Sequence, residues 1–377
     1  MADRESLGRL PALDGIRAAA AIMVLGFHFV GHHGESPWLV QAFGIGQTGV
    51  DLFFVLSGFL ITRILLSTKA SPHFFRSFYA RRTLRIFPLY FGYLALYFFL
   101  VPPLLGESIP PLETQVWSWF YLENVPQTFL NLRTSGPGHF WSLAVEEQFY
   151  LVWPLLVFSL SRRQFSAAVL VTLLLPPIIR EVFLHYGLRV FFFTLTRVDA
   201  LGYGAGLAVL LSGESFQPAR WIRVFRCLLI ALPMLLLPAF VVFSGSRLIW
   251  LQAVKLSLIP AFYFALIGFC LVDPAARPLT RFFSAGWLRW LGAISYGLYV
   301  FHPTCFVLVQ RLVAPRGVLL DAVLSVGLTV AIAYLSFRFF ESPILRLKKY
   351  FIYDVKDPVA AGEARVQSRA PIFDPPV

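Results

Sequence analysis

The first apolar segment of the chain carries a carboxylate, a guanidinium group and an imidazole at helical spacing. Asp14 and Arg17 are three residues apart, so on a helix their side chains can pair. His28 follows Arg17 by eleven residues, which returns it to within about 20° of the same helix face, about 16 Å further along the axis. Imidazole titrates near neutral pH and suits general-base chemistry. These are candidate catalytic residues; the alternative is a histidine that only hydrogen-bonds a neighbouring helix.

A run of arginines before the third apolar segment is a second candidate site. It reads Arg81-Arg82-Thr83-Leu84-Arg85. Arg82 and Arg85 share a helical face, and Arg81 lies one turn from Arg85. Guanidinium groups placed in this way can hold phosphates through paired hydrogen bonds. The other interpretation is anchoring to anionic lipid, the commoner role of basic clusters beside a membrane span.

Polar residues also lie within two further apolar segments. Ser57 and Gly58 occur in the second, where small residues favour close helix packing and the hydroxyl could instead contact a substrate. Glu146 and Glu147 lie just inside the fourth, where a carboxylate costs about 3 kcal/mol and so marks a functional site. Because adjacent residues face about 100° apart on a helix, we expect one carboxylate to orient polar groups or pair with an arginine, and the other to bond backbone or solvent.

Weaker signals lie at the polar ends of later segments. Arg197 and Asp199 begin the sixth, and Glu341 ends the tenth. His302 precedes Pro303 in the ninth. For His302, a structural histidine beside a proline kink is at least as good an interpretation as a ligand role.

Membrane-spanning helices must position all of these residues. Hydrophobic residues make up 58% of the chain and charged residues 14%, whereas a soluble domain carries about 25% charged residues. A span needs roughly 20 mostly apolar residues. Recurring segments of this kind predict an all-α fold, a polytopic membrane helical bundle with about ten transmembrane helices. They lie near 13–33, 43–66, 86–105, 139–160, 165–186, 190–211, 224–243, 247–271, 288–310 and 317–342.

Basic residues in alternate loops predict the orientation of the chain. The stretch 67–87 contains five Lys and Arg residues and no Asp or Glu, and later alternate loops are also basic. Since Lys and Arg concentrate in cytoplasmic loops, an even number of spans places both termini in the cytoplasm. The net charge of +12 then reflects topology and gives no evidence for a nucleic-acid partner.

The domain organisation expected from the sequence is simple. Residues 1–350 form one transmembrane domain, and 351–377, rich in Pro and Ala, form a disordered cytoplasmic tail. The three cysteines, which lack metal-ligand spacing, indicate neither a metal site nor a disulfide framework.

These segments, in this order, resemble membrane acyltransferase family three, a group of acyl-CoA-dependent integral membrane O-acyltransferases. Arg17 and His28 are similar to the family's Arg/Lys-x10-His motif, and residues 82–85 are similar to its Arg-x-x-Arg motif. Two longer stretches, 50–59 and 141–150, look like further family motifs. The resemblance extends over nearly the whole chain.

The resemblance implies an activity that the spacing does not show. Family members move an acyl group, often acetyl, from cytoplasmic acyl-CoA to a hydroxyl of a glycan, a lipid-linked sugar or a small natural product. The essential histidine falls on His28, the residues associated with coenzyme A phosphates fall on Arg82 and Arg85, and Arg17 would support the donor or the histidine. The expected setting is a bacterial inner or plasma membrane, with acyl-CoA, a hydroxylated acceptor and the lipid bilayer as partners and without a metal.

In the resulting hypothesis, His28 either takes the proton of the acceptor hydroxyl or carries the acyl group itself. Asp14 and Arg17 organise the entry, and Glu146 or Glu147 orients polar groups near the acceptor. A transporter or flippase is the alternative, but transporters often show two related halves, and no such pairing is visible. A membrane scaffold or receptor would explain the hydrophobicity but not these buried ionisable residues.

Overall fold

The chain is helical wherever the computed structural model describes it. The described residues are 10–33, 43–130, 135–241, 249–313 and 317–353. No strand occurs within these ranges, so the all-α prediction is confirmed for them. A helix satisfies its own backbone polar groups, which lipid cannot do. Apart from its first three residues, the predicted tail 351–377 lies outside the described ranges.

Most helix bounds lie within a few residues of the predicted apolar segments, but the helix that begins at Phe74 starts twelve residues before the predicted 86, and the one that begins at Val198 starts eight residues after the predicted 190. The principal helices are α1 Pro11–His33, α2 Gly49–Thr68, α3 Phe74–Phe99, α4 Trp141–Ser159, α5 Arg162–His185, α6 Val198–Leu211, α7 Pro218–Val241, α8 Ile249–Val272, α9 Gly286–Ala293, α10 Ser295–Leu308 and α11 Val318–Leu335. Shorter α-helices are Val101–Leu104, Leu112–Trp119, Asn124–Phe129, Arg277–Phe283 and Ser342–Leu345. Single 3-10 turns are Ile45–Thr48, Gly138–Phe140, Thr194–Thr196, Pro274–Ala276 and Arg346–Tyr350. Wide π-helical turns are Val309–Val313 and Ser336–Glu341.

Five helical stretches in the described residues are long and apolar enough to cross a bilayer. They are Pro11–Gly31, Ile45–Thr68, Arg162–His185, Trp250–Val272 and Val318–Tyr350. A sixth is added if α9 and the helix after it, bent by 69°, form one broken span. The remaining predicted spans coincide with α3, α4, α6 and α7, of which α6 has only 14 residues, fewer than the roughly 20 that a span needs. A polytopic helical protein is therefore supported, while the count of ten is not confirmed.

The described helices form two compact units. The first combines Met1–Gly49, Ser67–Ile109 and Arg281–Val377. In it, α1 packs against α9 and α10, and α10 packs against α11. A Cβ atom on Gly292 of α9 would lie 2.0 Å from the carbonyl oxygen of Asp14. Only glycine therefore lets α9 approach the beginning of α1, where two predicted site residues lie.

The second unit contains most of α2 and the helices α4 to α8. It comprises Val50–Leu66 and Pro110–Thr280. Within it, α5 packs against α6 and α8, and α7 packs against α8.

Two glycines bring α2 and α6 of this unit into backbone contact. A Cβ atom on Gly58 would lie 2.0 Å from the carbonyl oxygen of Leu201, and one on Gly204 would lie 2.0 Å from that of Val55. The close-packing interpretation of Gly58 therefore agrees with the structure. The neighbouring Ser57 is then held in a fixed position along α2.

Candidate active site

Asp14, Arg17 and His28 all lie on α1, as the sequence predicts. The Nη1 atom of Arg17 lies 3.2 Å from Oδ1 of Asp14, and the two side chains are 36% and 32% exposed. An ion pair this exposed contributes about 0.5 kcal/mol or less to stability. The contact therefore serves mainly to orient the Arg17 guanidinium at the beginning of the helix.

His28 contacts a second histidine from α10. Its Nδ1 atom lies 3.0 Å from Nε2 of His302, and the two ring centroids are 4.9 Å apart. The same Nδ1 atom lies 3.1 Å from the carbonyl oxygen of Val24 on α1. The two imidazoles form a direct hydrogen-bonded pair inside the first unit.

His302 is the member of this pair that the sequence could not assign. Its side chain is fully buried, and its Nδ1 atom lies 2.8 Å from the carbonyl oxygen of Tyr299 and 3.2 Å from that of Leu298. The proline after it offered a structural explanation, whereas the structure places the ring on His28. The available signal was a second imidazole within an apolar span.

Arg81 holds the polypeptide that follows α11. Its Nη1 atom donates to the carbonyl oxygens of Lys348 and Phe351, at 3.1 and 3.2 Å. Its guanidinium lies 5.9 Å from the ring centre of Tyr353. Burial raises the pKa of Tyr353 to about 12, so the phenol stays neutral at physiological pH and the contact is a cation–π interaction. Of the three predicted arginines, Arg81 is the one most engaged in structure.

Arg85 has a buried carboxylate beside it. Its Nη1 atom lies 3.6 Å from Oε2 of Glu341, whose side chain is only 4% exposed. The Arg85 guanidinium also lies 5.8 Å from the ring centre of Tyr296. Arg82, half-buried, lies three residues earlier on α3. Glu341, at the end of a π-helical turn, appeared in the sequence only as a polar residue ending the last predicted span.

Lys348 joins these arginines to α1. Its ammonium group interacts electrostatically with four arginines from α1 and α3. The five residues, called the cation cluster below, are Arg17, Arg81, Arg82, Arg85 and Lys348. Two carboxylates form ion pairs with its members, Asp14 with Arg17 and Glu341 with Arg85. Guanidinium groups placed together suit an anion with several negative charges, so the cluster is a candidate anion site.

Ser57 and Glu146 come together in the second unit. The Ser57 hydroxyl donates to Oε1 of Glu146 at 2.6 Å. Glu147 is half-buried and follows on α4, where its side chain leaves the helix about 100° away. Gln148 then donates to the carbonyl oxygen of Tyr121 at 2.9 Å. One carboxylate is thus held by a predicted site residue, and the next residues continue a polar band around α4.

Two buried ion pairs stabilise the same unit. Arg180 of α5 lies 2.5 Å from Asp199 of α6, and Arg197 lies 2.7 Å from Asp51 of α2. All four side chains are at most 3% exposed. The Arg197 guanidinium also lies 4.7 Å from the ring centre of Phe191. Their burial and their direct pairing with carboxylates indicate that these charges join α2, α5 and α6.

The predicted site residues divide between the two units. The first holds Asp14, Arg17, His28, Arg81, Arg82 and Arg85; the second holds Ser57, Glu146 and Glu147. Among the described residues, no three His, Cys, Asp or Glu side chains are grouped so that they could hold a metal ion. The first unit contains a cluster of basic side chains and a pair of imidazoles, and α1 contributes one residue to each. The second contains a carboxylate held by a serine hydroxyl.

Comparisons with known proteins agree on one kind of relative. A family model described as an acyltransferase domain matches residues 10–338. The chain is 31% identical over 389 residues to the peptidoglycan O-acetyltransferase of Listeria monocytogenes, covering 94% of this chain and 60% of that protein. It is 28% identical over 358 residues to an O-acetyltransferase of Staphylococcus aureus, covering 89% of this chain and 57% of that protein. The chain thus spans less than two thirds of the length of these relatives. No solved structure matches it significantly.

Proposed function

The chain belongs to the acyltransferase family whose model covers residues 10–338, and we propose that it is an integral membrane O-acetyltransferase that moves an acetyl group from acetyl-CoA to a hydroxyl of a cell-wall glycan. The relatives are O-acetyltransferases, one of them named for peptidoglycan, which supports a glycan acceptor. One observation carries the donor assignment: a single helix, α1, contributes both to the cation cluster and to the histidine pair.

Acetyl-CoA carries its phosphates and its reactive thioester at opposite ends, just as Arg17 of the cation cluster and His28 are separated along α1. Its phosphates lie at one end, and its thioester lies at the end of the long pantetheine arm. On α1, His28 is displaced from Arg17 by about 16 Å along the axis. The phosphates would bind the cation cluster, with Arg82 and Arg85 as the principal ligands, and the pantetheine arm would follow α1 to bring the thioester to His28. Arg17 would help to fix the donor at the entry, where Asp14 orients it.

The chemistry at His28 is a balanced acyl transfer. The imidazole takes the proton of the acceptor hydroxyl while the hydroxyl oxygen attacks the thioester carbonyl carbon. A carbon–oxygen bond forms, the carbon–sulfur bond breaks, and the proton passes from His28 to the coenzyme A thiolate that leaves. In the second route, a ring nitrogen of His28 attacks the thioester carbon, the carbon–sulfur bond breaks, and the coenzyme A thiolate leaves with the ring proton. The acceptor oxygen then attacks the acetyl-imidazole, the carbon–nitrogen bond breaks, and the hydroxyl proton returns to the ring.

Polar residues of the second unit would bind the acceptor. Glu146, held by Ser57 at 2.6 Å, is a fixed hydrogen-bond acceptor of the kind that orients sugar hydroxyls. We assign Glu147, which leaves α4 about 100° away from Glu146, to the adjoining polar surface. We propose ten spans, with both termini and the donor site on the cytoplasmic side of the membrane.

The function is tested with purified protein and acetyl-CoA that carries an isotope label in the acetyl group. We expect release of free coenzyme A thiol and a gain of one labelled acetyl unit on glycan acceptor fragments, detected by mass spectrometry. In sealed vesicles, label added at the cytoplasmic face should react and label added at the opposite face should not. Glycan acetylation that proceeds only with another acyl donor would overturn the acetyl-CoA assignment. Neither thiol release nor any acetylation difference between cells with and without the gene would overturn the proposed activity.

The phosphate assignment makes a separate prediction for α3. Arg82→Ala and Arg85→Ala should each weaken acetyl-CoA binding about tenfold or more, because a hydrogen bond to a charged group is worth about 1.5–3 kcal/mol. The turnover rate at saturating donor should change little, since the reacting atoms lie far along α1. Isothermal titration with coenzyme A measures the dissociation constant directly.

Arg76→Ala is the matched control for these variants. Arg76 lies on the same helix, is exposed, and lies outside the cation cluster. Its replacement should leave coenzyme A affinity within about twofold. Parental affinity in the folded double variant of Arg82 and Arg85 would place the phosphates elsewhere.

A further inference from the structure

His302 is fully buried, and its Nε2 atom lies 3.0 Å from Nδ1 of His28. We propose that His302 is a positioning residue that holds neutral His28 in the tautomer with its proton on Nδ1, leaving the lone pair on Nε2 to take the acceptor proton. This inference rests on the proposed role of His28 and deepens it.

The tautomer of His302 follows from the backbone atoms that its ring contacts. Its Nδ1 atom faces the carbonyl oxygens of Tyr299 and Leu298, at 2.8 and 3.2 Å. A carbonyl oxygen only accepts hydrogen bonds, so Nδ1 of His302 carries a hydrogen and donates it. In a neutral imidazole the other nitrogen, Nε2, is then an acceptor. Full burial favours the neutral ring, since an ionised side chain inside a span costs about 3 kcal/mol.

The tautomer of His28 follows in turn from its contact with His302. Its Nδ1 atom lies 3.0 Å from the acceptor Nε2 of His302 and 3.1 Å from the carbonyl oxygen of Val24. Both partners accept, so Nδ1 of His28 must donate, and Nε2 of the neutral ring holds the lone pair. His28 thus donates a hydrogen bond to His302, and His302 donates to backbone carbonyl oxygens of α10.

The hydrogen bond from Nδ1 of His28 to His302 is also compatible with the protonated form of His28. When Nε2 takes the acceptor proton, the imidazolium still donates from Nδ1 to a neutral ring fixed between Tyr299 and Phe306, whose ring centroids lie 5.9 and 5.7 Å from that of His302. His28 therefore needs no rotation between its two protonation states. A base whose orientation is set by a third group is a recurrent device in acyl transfer.

Two variants of His302 separate this role from simple packing. His302→Leu fills the space but offers no acceptor, and we expect it to lower kcat roughly 10–100-fold, by analogy with the loss of the partner that orients a metal-ligating histidine. The KM for acetyl-CoA should stay within about twofold, because the phosphate ligands are untouched. His302→Gln presents an amide oxygen to Nδ1 of His28 and should recover most of the lost kcat.

The tautomer can be read directly by nitrogen-15 NMR of histidine-labelled protein, with the His28 signals assigned by their loss in His28→Gln. We expect a protonated Nδ1 and an unprotonated Nε2 in the parent protein, and a mixture of tautomers in His302→Leu. A proton on Nε2 of neutral His28 in the parent, or a folded His302→Leu with parental kcat, would overturn the inference. The spectrum of the parent decides the question even if His302→Leu does not fold.

The failure of this inference differs from the failure of the proposed function. If His28→Ala loses activity while His302→Leu keeps it, the acyltransferase mechanism stands and the positioning role falls. If His28→Ala keeps full activity, the proposed mechanism itself falls, whatever His302 does.

Discussion

Replacing His28 with alanine is expected to lower the rate of acetyl transfer by about 10²–10⁴-fold, the contribution typical of a positioned general base. The His28 imidazole can take a proton near neutral pH, and its Nδ1 atom lies 3.0 Å from Nε2 of His302. The measurement is the initial rate of labelled acetyl transfer, followed together with thiol release from acetyl-CoA.

The control for this variant is His185→Ala at the end of α5. His185 is exposed and belongs to the other unit, so its loss should leave the rate unchanged within error. Affinity for coenzyme A should also be unaffected in His28→Ala, because the cation cluster remains complete. A folded His28→Ala protein with parental transfer rates would falsify both the general-base and the acyl-carrier role.

The same variant separates the two possible routes. Protein mixed with labelled acetyl-CoA in the absence of acceptor should stay unlabelled if His28 acts as a base. Acid-quenched label on the protein, absent from His28→Ala, would establish the acyl-histidine route instead.

Arg180→Ala is expected to lower the free energy of unfolding by about 3–5 kcal/mol, the usual cost of leaving one charge of a buried pair uncompensated. The Arg180 guanidinium is fully buried and donates to Asp199 at 2.5 Å, to Ser257 at 2.8 Å, and to the carbonyl oxygens of Thr196 and Ala253 at 2.6 and 2.9 Å. These contacts join α5, α6 and α8, so their loss should loosen the second unit as a whole. Denaturant unfolding in detergent micelles measures the change.

Arg163→Ala on the same helix is the matched control. Arg163 is exposed, and its replacement should change stability by no more than about 0.5 kcal/mol. A double variant, Arg180→Met with Asp199→Leu, should recover part of the loss, because it removes both charges instead of one. If Arg180→Ala unfolds at the same denaturant concentration as the parent, the buried pair does not stabilise the unit.

The local features of the candidate site were accessible from the sequence. The 3.6-residue helical repeat alone places Asp14 beside Arg17, and the structure has the pair at 3.2 Å. The same repeat puts Arg82 and Arg85 on one face of α3. Such contacts depend only on the geometry of a single helix. The apolar segments predicted a helix for Asp14 and Arg17. The helix that holds Arg82 and Arg85, in contrast, begins at Phe74, well before the apolar segment predicted there.

The long-range contacts were not accessible in this way. Ser57 meets Glu146 across 89 positions, and His28 meets His302 across 274. Hydropathy states that a segment is apolar, but it does not state which helices become neighbours or how each is rotated. For that reason His302 had two equally good interpretations, and the single sequence could not choose between them.

The sequence by itself determined the all-helical membrane class, the positions of the long helices and the acidic, basic and imidazole groups along α1. The tertiary structure decided which charges form buried ion pairs within one unit, such as Arg180 with Asp199, and which basic residues come together, as in the cation cluster. It also decided the partner of His28. The physical reason is that an ionisable group in an apolar helix must find a partner, and the identity of that partner is fixed by how glycines such as Gly292 let helices approach one another.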